Sequence, residues 1–396
     1  MAHDLIFFPD YRRANPYQRL LYQHAGGEFH PTSGTIDAAV EHLRRKGFDE
    51  RVIFHLHWED AAFRNEPDEA AAWRAAQRFL AQTERFLDAG GALLWTIHNT
   101  APHDGRYLPL HRTLSARLAV LADIVHVHSL TASAWASAEL GIDPGRIAVI
   151  GHGNYRPLHQ PLQRPVAASR AELGLPAEAR IVLLFGRLGA YKGAATLLGA
   201  FARAATEAAN LHLVIAGKQI DRLDGLLSEL PEAIRARILV KDGFIAEGEI
   251  ERLFHAADTV ALPYRAILTS GTALLALSLN RPVIAPAHPT LRELLRDGAD
   301  ALFYDPDDEA GLARALVAAA TLPGDRLAAM QVAAGETAAR HDWRQAGLLL
   351  RGLFYLLLHL RRPRRAIAPE PPELAQEAAE PGDATLPRAQ PREPAA

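Results

Sequence analysis

The sequence predicts an α/β protein in which two Rossmann-like domains face a cleft and a C-terminal helix packs back on the N-terminal domain. Three observations predict this architecture. Short apolar runs alternate with helix-period segments over the first 150 residues, a Pro- and His-rich segment follows at residues 152–165, and the alternation then starts again. This βαβ rhythm is typical of parallel sheets with helices on both faces, which bind ligands at the carboxyl ends of their strands.

Each predicted strand is a short apolar run bounded by turn residues. In the first half the predicted strands are Leu5–Phe8, Val52–Leu56, Ala92–Ile97, Ile124–Val127 and Ile147–Ile150. The helix-period segments between them are Tyr17–Ala25, Ile36–Arg45, Glu69–Ala89 and Leu110–Leu121. In the second half the predicted strands are Ile181–Phe185, Leu211–Ala216, Ile238–Val240, Thr259–Leu262, Pro282–Ala285 and Ala301–Tyr304.

These segments divide the chain into four predicted parts. An N-terminal domain at residues 1–160 precedes a C-terminal domain at residues 161–340. A crossover helix at residues 341–366 is Leu-rich and ends in the basic run Arg361–Arg365. A tail at residues 367–396, rich in Pro, Ala and Glu, has too few apolar residues for a core and is predicted to be disordered.

Composition excludes several classes of function. The absence of cysteine excludes disulfides, thiolate zinc sites and a cysteine nucleophile. The net charge of −3 and the lack of a basic stripe mixed with aromatics give no reason to expect a nucleic-acid partner. The apolar run near the N-terminus covers only Leu5–Pro9, and no run approaches the length of a bilayer span. We therefore expect a cytoplasmic protein.

A phosphate-binding turn is predicted where the helix after strand Thr259–Leu262 begins. The start of that helix carries Thr269, Ser270, Gly271 and Thr272. Free backbone N–H groups, hydroxyls and the positive end of the helix dipole suit a phosphate there, and a glycine lets the anion come close. An ordinary serine cap on a crossover helix would give the same pattern.

A second turn adds positive charge to this prediction. The segment FGRLGAYKG at residues 185–193 follows the first strand of the second half and carries Arg187 and Lys192 between glycines. It lacks the GxxxxGK[ST] spacing of a Walker loop. Either cation alone would indicate only a solvated basic loop, but together with the turn at residues 269–272 they predict a diphosphate site.

The second half resembles the C-terminal domain of GT-B glycosyltransferases of the family 4 type. The matching segments, which cover most of Ile181–Pro306 in the family's order, are FGRLGAYKG, LVIAGK, KDGFIAEGEIERLFHAADTVALPY, SGTALLALSLNRPVIAP and LRELLRDGADALFYDP. The resemblance implies that Arg187 and Lys192 hold the diphosphate of a sugar nucleotide, which also meets the turn at residues 269–272. It further implies that Phe244 and Ile245 lie against the base.

One departure from the family pattern concerns the donor sugar. Family 4 enzymes carry two glutamates eight positions apart, and here Ile267 and Leu275 stand at those positions. The segment LPYRAILTSG instead resembles a variant form found in bacterial exopolysaccharide transferases, in which Tyr264 and Arg265 would take over donor contacts. The resemblance therefore leaves open whether the reaction retains or inverts the anomeric configuration.

The first half supports this variant group. The segments NPYQRLLYQ, HLHWED and TIHNTAPHDG resemble the acceptor domain of bacterial mannosyl- or glucosyltransferases that build polysaccharide repeat units on a lipid carrier. The resemblance implies acceptor contacts by Tyr17, His57, Trp58 and Asn99.

An inverting displacement also needs a base near the acceptor hydroxyl. The leading candidates are Asp104, His98 and His103, with Glu59 and Asp60 also placed at strand ends. A structural or acceptor-binding role remains open for each histidine.

A metal site is a further alternative for the histidines. His55 and His57 share one face of a strand and together with His98 could indicate a metal, but no carboxylate spacing completes a ligand set. We expect no metal and no cofactor, with the sugar nucleotide as a co-substrate.

The sequence thus predicts a hexosyltransferase that moves a sugar from GDP-mannose or a UDP-sugar to a saccharide, carried on a lipid, in bacterial polysaccharide synthesis. The crossover helix with its basic run suits peripheral contact with the cytoplasmic face of the inner membrane. The alternative is a non-catalytic partner that binds nucleotide sugar or serves as a scaffold, since both family glutamates are replaced. A third hypothesis is that the protein is an epimerase or a phosphorylase with the same architecture.

Overall fold

The first sheet has six parallel strands in the computed structural model, which describes residues 3–45, 51–102, 105–219, 222–264 and 267–360. The predicted tail and the end of the predicted crossover helix lie outside these residues. The strands are β1 (His3–Phe8), β2 (Phe29–Ser33), β3 (Ile53–Leu56), β4 (Ala92–Thr96), β5 (Ile124–Val127) and β6 (Ile147–Val149), in the order β2-β1-β3-β4-β5-β6. The helices of this half are α1 (Tyr17–Gln23), α2 (Ile36–Arg45), α3 (Glu69–Asp88), α4 (Leu108–Leu121) and α5 (Leu130–Leu140).

The second sheet repeats this plan with six parallel strands. They are β7 (Arg180–Phe185), β8 (Leu211–Gly217), β9 (Ile238–Asp242), β10 (Thr259–Ala261), β11 (Val283–Pro286) and β12 (Ala301–Tyr304), in the order β12-β11-β10-β7-β8-β9. The helices are α6 (Val166–Glu172), α7 (Ala194–Glu207), α8 (Asp224–Ser228), α9 (Glu232–Arg235), α10 (Glu247–Ala256), α11 (Gly271–Ser278), α12 (Pro289–Leu294), α13 (Gly311–Thr321), α14 (Gly324–Arg340) and α15 (Trp343–His359). The predicted α/β class with two parallel sheets is confirmed.

The strands are buried on both faces, which is why they read as apolar runs. Strands β3, β4 and β5 have no exposed residue, and helices cover the sheet through one large core that includes Phe54, Trp95 and Phe86. A parallel sheet needs this cover, because a βαβ connection places helices on its faces.

Two elements of the first half were not predicted. Strand β2, FHPTS, contains one large apolar residue and a proline, and it lies at the edge of the sheet, where a missing N–H is tolerated. Helix α5, LTASAWASAEL, buries only Ala132 and Ala136 and has no amphipathic pattern. Its start is fixed instead by the side chain of Ser129, which accepts a hydrogen bond from the backbone of Ala132.

Helix α15 returns to the first domain as predicted. Its buried residues Trp343, Leu350, Phe354 and Leu357 follow helical spacing and join the core formed by β1, β3 and β4. At Gly347 a Cβ would lie 2.6 Å from the Cβ of His24, so the helix approaches α1 closely only because this residue is glycine. The two sheets and α15 form one compact unit that ends at Leu360.

Phe354→Ala is expected to destabilise this unit by about 3–5 kcal/mol, because it removes a large aromatic side chain from the core. Phe354 is 0% exposed and its ring lies 5.1 Å from that of Phe29. Urea unfolding of the full chain measures the change. Leu356→Ala on the same helix is the matched control: Leu356 is 49% exposed, so its loss should change the unfolding free energy by less than about 0.5 kcal/mol. Equal effects of the two changes would contradict the packing of α15.

A polar clasp joins the two halves at the surface. The carboxylate of Glu293 on α12 accepts hydrogen bonds from the backbone of Leu130 (2.6 Å) and Thr131 (2.9 Å) at the start of α5, and from the Thr131 hydroxyl. A carboxylate is favourable at a helix N-terminus, where the backbone N–H groups lack partners within the helix.

Glu293→Gln is expected to loosen the contact between the halves without unfolding either one. Because the clasp is exposed, we expect the unfolding free energy to change by less than about 1 kcal/mol. The radius of gyration from solution scattering should increase as the cleft opens. Glu249→Gln, which breaks the ion pair with Lys241 inside the second domain, should leave that radius unchanged. An unchanged radius in Glu293→Gln as well would mean that the clasp does not hold the halves together.

Candidate active site

The carboxyl ends of the two sheets border one cavity of about 640 Å³. The first domain contributes the segments that follow β1, β3 and β4, together with His152 after β6. The second domain contributes the segments that follow β7 and β10 and the start of α11. This is the position at which doubly wound sheets bind ligands, because the loops at that edge carry the side chains and amides that are not used in the sheet.

The second-domain wall is set by glycines in the turn after β7. Gly186 has a φ of +114° and Gly193 a φ of +68°, both favourable for glycine. A Cβ on Gly193 would lie 1.9 Å from the carbonyl oxygen of Pro263. Only glycine therefore lets the turn before α7 lie against the loop after β10, and this approach places Lys192 beside Tyr264.

Lys192 is a buried cation whose hydrogen bonds to the described residues go to hydroxyls. Its Nζ donates to the Tyr264 hydroxyl (2.9 Å) and to the Thr272 hydroxyl (2.8 Å), and the residue is 6% exposed. Within the described residues no carboxylate pairs with it. Because a buried charge without a counter-charge is costly, this arrangement favours an anionic ligand.

The tyrosine beside this lysine is affected by its charge. Burial by itself raises the pKa of Tyr264, but the Lys192 ammonium and hydrogen bonds with Lys192, Ser270 and Thr272 outweigh burial and lower that pKa. Tyr264 Oη also lies 3.1 Å from Ser270 Oγ. The three hydroxyls and the ammonium thus form one polar cluster at the start of α11.

The first turn of α11 supplies further groups for an anion. Ser270 caps the helix by accepting a hydrogen bond from the backbone of Ala273 (3.0 Å). A Cβ on Gly271 would lie 2.8 Å from Tyr155 Oη, so a larger residue would collide with Tyr155. The buried hydroxyl of Thr269 has no hydrogen-bond partner in the part of the chain that is described. These groups face the same cavity as Lys192.

Arg187, in the same turn as Lys192, lies next to the first domain. It lines the main cavity and also a smaller recess of about 40 Å³ that it shares with Trp58, Glu59 and His98. Its side chain is exposed, so the guanidinium can reorient toward a ligand between the domains.

The first-domain wall is built from stacked rings. Trp58 stacks on His98 with ring centroids 4.1 Å apart and planes 12° apart. Tyr17 lies edge-on to His98 at 4.9 Å, and Asn99 lines the cavity beside them. An aromatic face with a polar edge is suited to a sugar ring, which has apolar C–H faces and hydroxyls at its rim.

A cluster of buried histidines extends from this wall into the first domain. It comprises His55, His57, His98, His126, His128 and His152. Burial lowers the pKa of all six, to about 4 for His126 and His152, and the neighbouring histidines lower it further in His55, His57, His98 and His128. These histidines are therefore neutral at pH 7.

The cluster does not have the arrangement of a metal site. Among the described residues, no group of three or more His, Asp or Glu side chains is placed to hold a metal ion. His55 and His57, the pair considered from the sequence, are separated by the hydroxyl of Tyr22, which lies 2.8 Å from a ring nitrogen of each.

Some predicted site residues do not line the cavity. His57 is 0% exposed, with its ring nitrogens next to Tyr22 and His98, so the structure places it behind the predicted acceptor wall. Phe244 is 90% exposed and Ile245 packs on the second-domain core, and neither lines the cavity. Ile267 and Leu275, at the positions of the family glutamates, do line it.

The remaining candidates line the smaller recess or are not described. Glu59 lies 2.8 Å from His111 and accepts a hydrogen bond from Trp95, and Asp60 pairs with Arg64. The predicted candidates His103, Asp104 and Arg265 lie outside the described residues.

Three residues of the predicted linker were missed as parts of the site. The cavity is lined by His152, Tyr155 and His159. The only signal in the sequence was the density of His and aromatic residues in HGNYRP. The segment is held by hydrogen bonds from the Asn154 side chain to the carbonyls of Ala338 and His341.

Comparison with known proteins agrees with this geometry. Residues 179–321 match the family model described as glycosyl transferases group 1. Over 272 residues the chain is 28% identical to the GDP-mannose:glycolipid 4-beta-D-mannosyltransferase of Xanthomonas campestris pv. campestris, covering 69% of this chain and 70% of that protein. Over 175 residues it is 34% identical to the D-inositol 3-phosphate glycosyltransferase of Mycolicibacterium gilvum, covering 42% of this chain and 38% of the other.

Solved structures share the architecture at low sequence identity. Anabaena HepE in complex with UDP and glucose has a TM-score of 0.66 at 16% identity, over 90% of this chain and all of that one (100%). Sucrose-phosphate synthase from Thermosynechococcus elongatus has a TM-score of 0.70 at 17% identity, over 90% and 99%. The family match identifies residues 179–321 as a group 1 glycosyltransferase domain, and the two parallel sheets have the architecture of the GT-B fold.

Proposed function

We propose that this glycosyltransferase is a hexosyltransferase that transfers mannose from GDP-mannose to a saccharide acceptor carried on a lipid. The observation that carries the proposal is Lys192, a buried cation on the wall of the interdomain cavity that pairs with no carboxylate of the described residues. A sugar nucleotide would supply the missing negative charge. GDP-mannose is the first candidate because the Xanthomonas relative is named for it, and a UDP-sugar is the second, since HepE has UDP bound.

In this mechanism the second domain stabilises the leaving group. Lys192 and the first turn of α11 would bind the diphosphate, and Arg187 would reach it from the cavity wall. As the bond between the anomeric carbon and the diphosphate breaks, negative charge grows on the phosphate oxygens, where these groups are already placed. We propose that they supply the positive charge that a divalent ion supplies in other transferases, so that the enzyme needs no metal and no cofactor.

The first domain would hold the acceptor and remove its proton. The product of the Xanthomonas relative is, by its name, a β-mannoside. Formation of a β-glycoside from an α-linked sugar nucleotide inverts the anomeric carbon and requires a base at the acceptor hydroxyl. His98 is the candidate base in the described part of the cavity, with Trp58, Asn99 and Tyr17 around the sugar ring.

The acceptor is proposed to be lipid-linked and to be met at the cytoplasmic face of the inner membrane, in polysaccharide synthesis. Leu348, Leu349, Tyr355 and Leu356 are 37–50% exposed on one face of α15, and the basic run Arg361–Arg365 follows that helix in the sequence. Apolar side chains beside basic ones bind anionic lipid surfaces. No helix among the described residues is long and apolar enough to cross a membrane.

Membrane contact is tested by sedimentation with anionic phospholipid vesicles. The double change Leu349→Glu/Leu356→Glu should abolish binding of the full chain. Leu226→Glu, which alters an exposed leucine on α8 of the second domain, should not. Equal binding by both variants would argue against α15 as the contact.

The donor site is tested by thermal-shift titration with GDP, UDP, GDP-mannose and UDP-glucose. A ligand that binds only the folded protein raises its melting temperature. We expect a shift with one nucleotide class that is lost in Arg187→Ala/Lys192→Ala. Release of nucleoside diphosphate that requires a lipid-linked saccharide would then establish transfer. Binding without release in the presence of acceptors would favour the non-catalytic partner, and the absence of any shift would overturn the donor site.

A further inference from the structure

A series of hydrogen bonds leads from a backbone carbonyl to the cavity wall. We call it the histidine network. Its members are, in order, the carbonyl of Ile150 and the side chains of His126, Thr96, His55, Tyr22, His57 and His98.

The carbonyl of Ile150 sets the direction at one end of the network. A carbonyl oxygen only accepts, so Nε2 of His126, 3.0 Å away, must carry a proton. In a neutral ring Nδ1 then has no proton, and it accepts from the Thr96 hydroxyl at 2.9 Å. Since the one proton of that hydroxyl lies in the hydrogen bond to His126, its oxygen accepts a hydrogen bond from Nε2–H of His55 at 2.7 Å.

The same logic continues to the cavity. Nδ1 of His55 accepts from the Tyr22 hydroxyl at 2.8 Å, and the Tyr22 oxygen accepts from Nε2–H of His57, also at 2.8 Å. Nδ1 of His57 therefore accepts from Nε2–H of His98 at 3.1 Å. The proton of His98 is thus on the buried nitrogen, and Nδ1 has no hydrogen-bond partner among the described residues.

We infer that the histidine network holds His98 in the Nε2–H tautomer and presents the lone pair of Nδ1 to the cavity. His98 is the member that lines the cavity. A lone pair there accepts a hydrogen bond from a hydroxyl, whereas the other tautomer would present an N–H and repel that donor. The assignment of this hydroxyl rests on the proposed function, in which it belongs to the saccharide acceptor. The residues that position the base are then His55, Tyr22, His57, Thr96 and His126.

The network sets the tautomer of the base, but it does not conduct the proton that the base receives away from the cavity. When the acceptor oxygen bonds to the anomeric carbon, its proton moves to Nδ1 of His98, and the diphosphate leaves with the electron pair of the broken bond. The network ends at a carbonyl, which cannot take a proton. Passage inward would also place a charge on a fully buried ring, which is costly. The proton therefore leaves His98 for water as the products depart.

A second branch constrains Tyr17 in the same way. Nδ1 of His128 donates to the Ile150 carbonyl at 3.0 Å, so its Nε2 accepts from the Tyr17 hydroxyl at 3.3 Å. The hydroxyl proton of Tyr17 is therefore engaged in the hydrogen bond to His128. Tyr17 can bind a substrate only by accepting a hydrogen bond or through contacts of its ring.

The decisive variant is Thr96→Val, which keeps the side-chain shape and removes the hydroxyl. Without that hydroxyl, all the hydrogen bonds in the rest of the network, which joins His55, Tyr22, His57 and His98, can reverse their direction. The original direction leaves the Nε2–H of His55 unpaired against valine, and an unpaired buried N–H is especially unfavourable. We therefore expect His98 to shift to the Nδ1–H tautomer. Thr83→Val is the matched control, because Thr83 is equally buried but its hydroxyl donates to the carbonyl of Phe79 in α3 and is not a member of the network.

The tautomer is read by long-range ¹H–¹⁵N correlation on protein with ¹⁵N-labelled histidine at pH 7.5, with His98 assigned from the signals missing in His98→Gln. Wild type and Thr83→Val should show His98 as neutral Nε2–H, and Thr96→Val should show a shift to Nδ1–H. If Thr96→Val does not fold, Tyr22→Phe breaks the same network next to His57 and should release His98 in the same way. An Nδ1–H or doubly protonated His98 in the wild type, or a His98 signal that neither change alters, would overturn the inference. The NMR experiment contains no sugar nucleotide, so a failure of the tautomer assignment can be distinguished from a failure of the proposed function.

Discussion

Lys192→Met is expected to weaken the binding of nucleoside diphosphates by at least about 100-fold while leaving the unliganded protein as stable as the wild type or more stable. The two effects have one cause. In the unliganded protein the residue is 6% exposed, and its ammonium bonds to Tyr264 and Thr272 but to no carboxylate in the described part of the chain. Methionine therefore removes a buried charge that these residues do not neutralise, and it keeps most of the side-chain volume. In the complex the same ammonium faces phosphate, and charge-assisted hydrogen bonds contribute about 1.5–3 kcal/mol each.

Calorimetric titration gives the affinity, and thermal unfolding without ligand gives the stability. Lys218→Met is the matched control: Lys218 is exposed after β8 and does not line the cavity, so neither quantity should change. A destabilised Lys192→Met protein that still binds nucleotide normally would show that the lysine is a structural group and that the diphosphate lies elsewhere.

Most of the fold could be predicted from the sequence because its signals are local. A strand such as β5, IVHV, is buried on both faces, and a helix such as α2 has its apolar residues at helical spacing. Where burial did not follow such a pattern, prediction failed. Edge strand β2 needs few apolar residues, and α5 packs through two alanines.

The site was predictable only where one segment carries its own chemistry. The cap at Ser270 and the cation at Lys192 belong to loops whose glycines mark them in the sequence. In contrast, the histidine network depends on strand pairing: β3, β4 and β5 lie side by side, and this places Thr96 between His55 and His126. No spacing along the chain indicates such a contact, nor that Phe244 is 90% exposed.

Acid is expected to unfold the protein well above the pH at which its carboxylates protonate. A histidine buried in the neutral form has a folded pKa below its unfolded value of 6.5, so between that value and the folded pKa the unfolded state binds more protons. Stability is therefore full above pH 6.5 and is lost as the pH falls toward about 4, the pKa of His126 and His152. By contrast, Asp10, whose pKa is lowered by Arg12 from 3.8 to about 2, contributes stability that is lost only between those two values.

The number of buried histidines makes the slope steep. Each contributes at most about 1.4 kcal/mol per pH unit, so the six rings of the cluster together contribute at most about 8 kcal/mol per pH unit. Since domains are stable by only about 5–15 kcal/mol, we expect unfolding within about one to two units below pH 6.5.

Urea unfolding at pH 7.5, 6.5, 6.0 and 5.5 measures this slope. His126→Gln should reduce the slope of the unfolding free energy against pH by the equivalent of about one bound proton, because it removes a group whose folded and unfolded pKa values differ. His30→Gln, at an exposed histidine of β2, should leave it unchanged. A stability that stays constant from pH 6.5 to 5.5 would mean that the cluster is already charged or hydrated in the folded protein. In that case His98 could not present a neutral lone pair to the cavity, so this titration also tests the premise on which the assignment of the base depends.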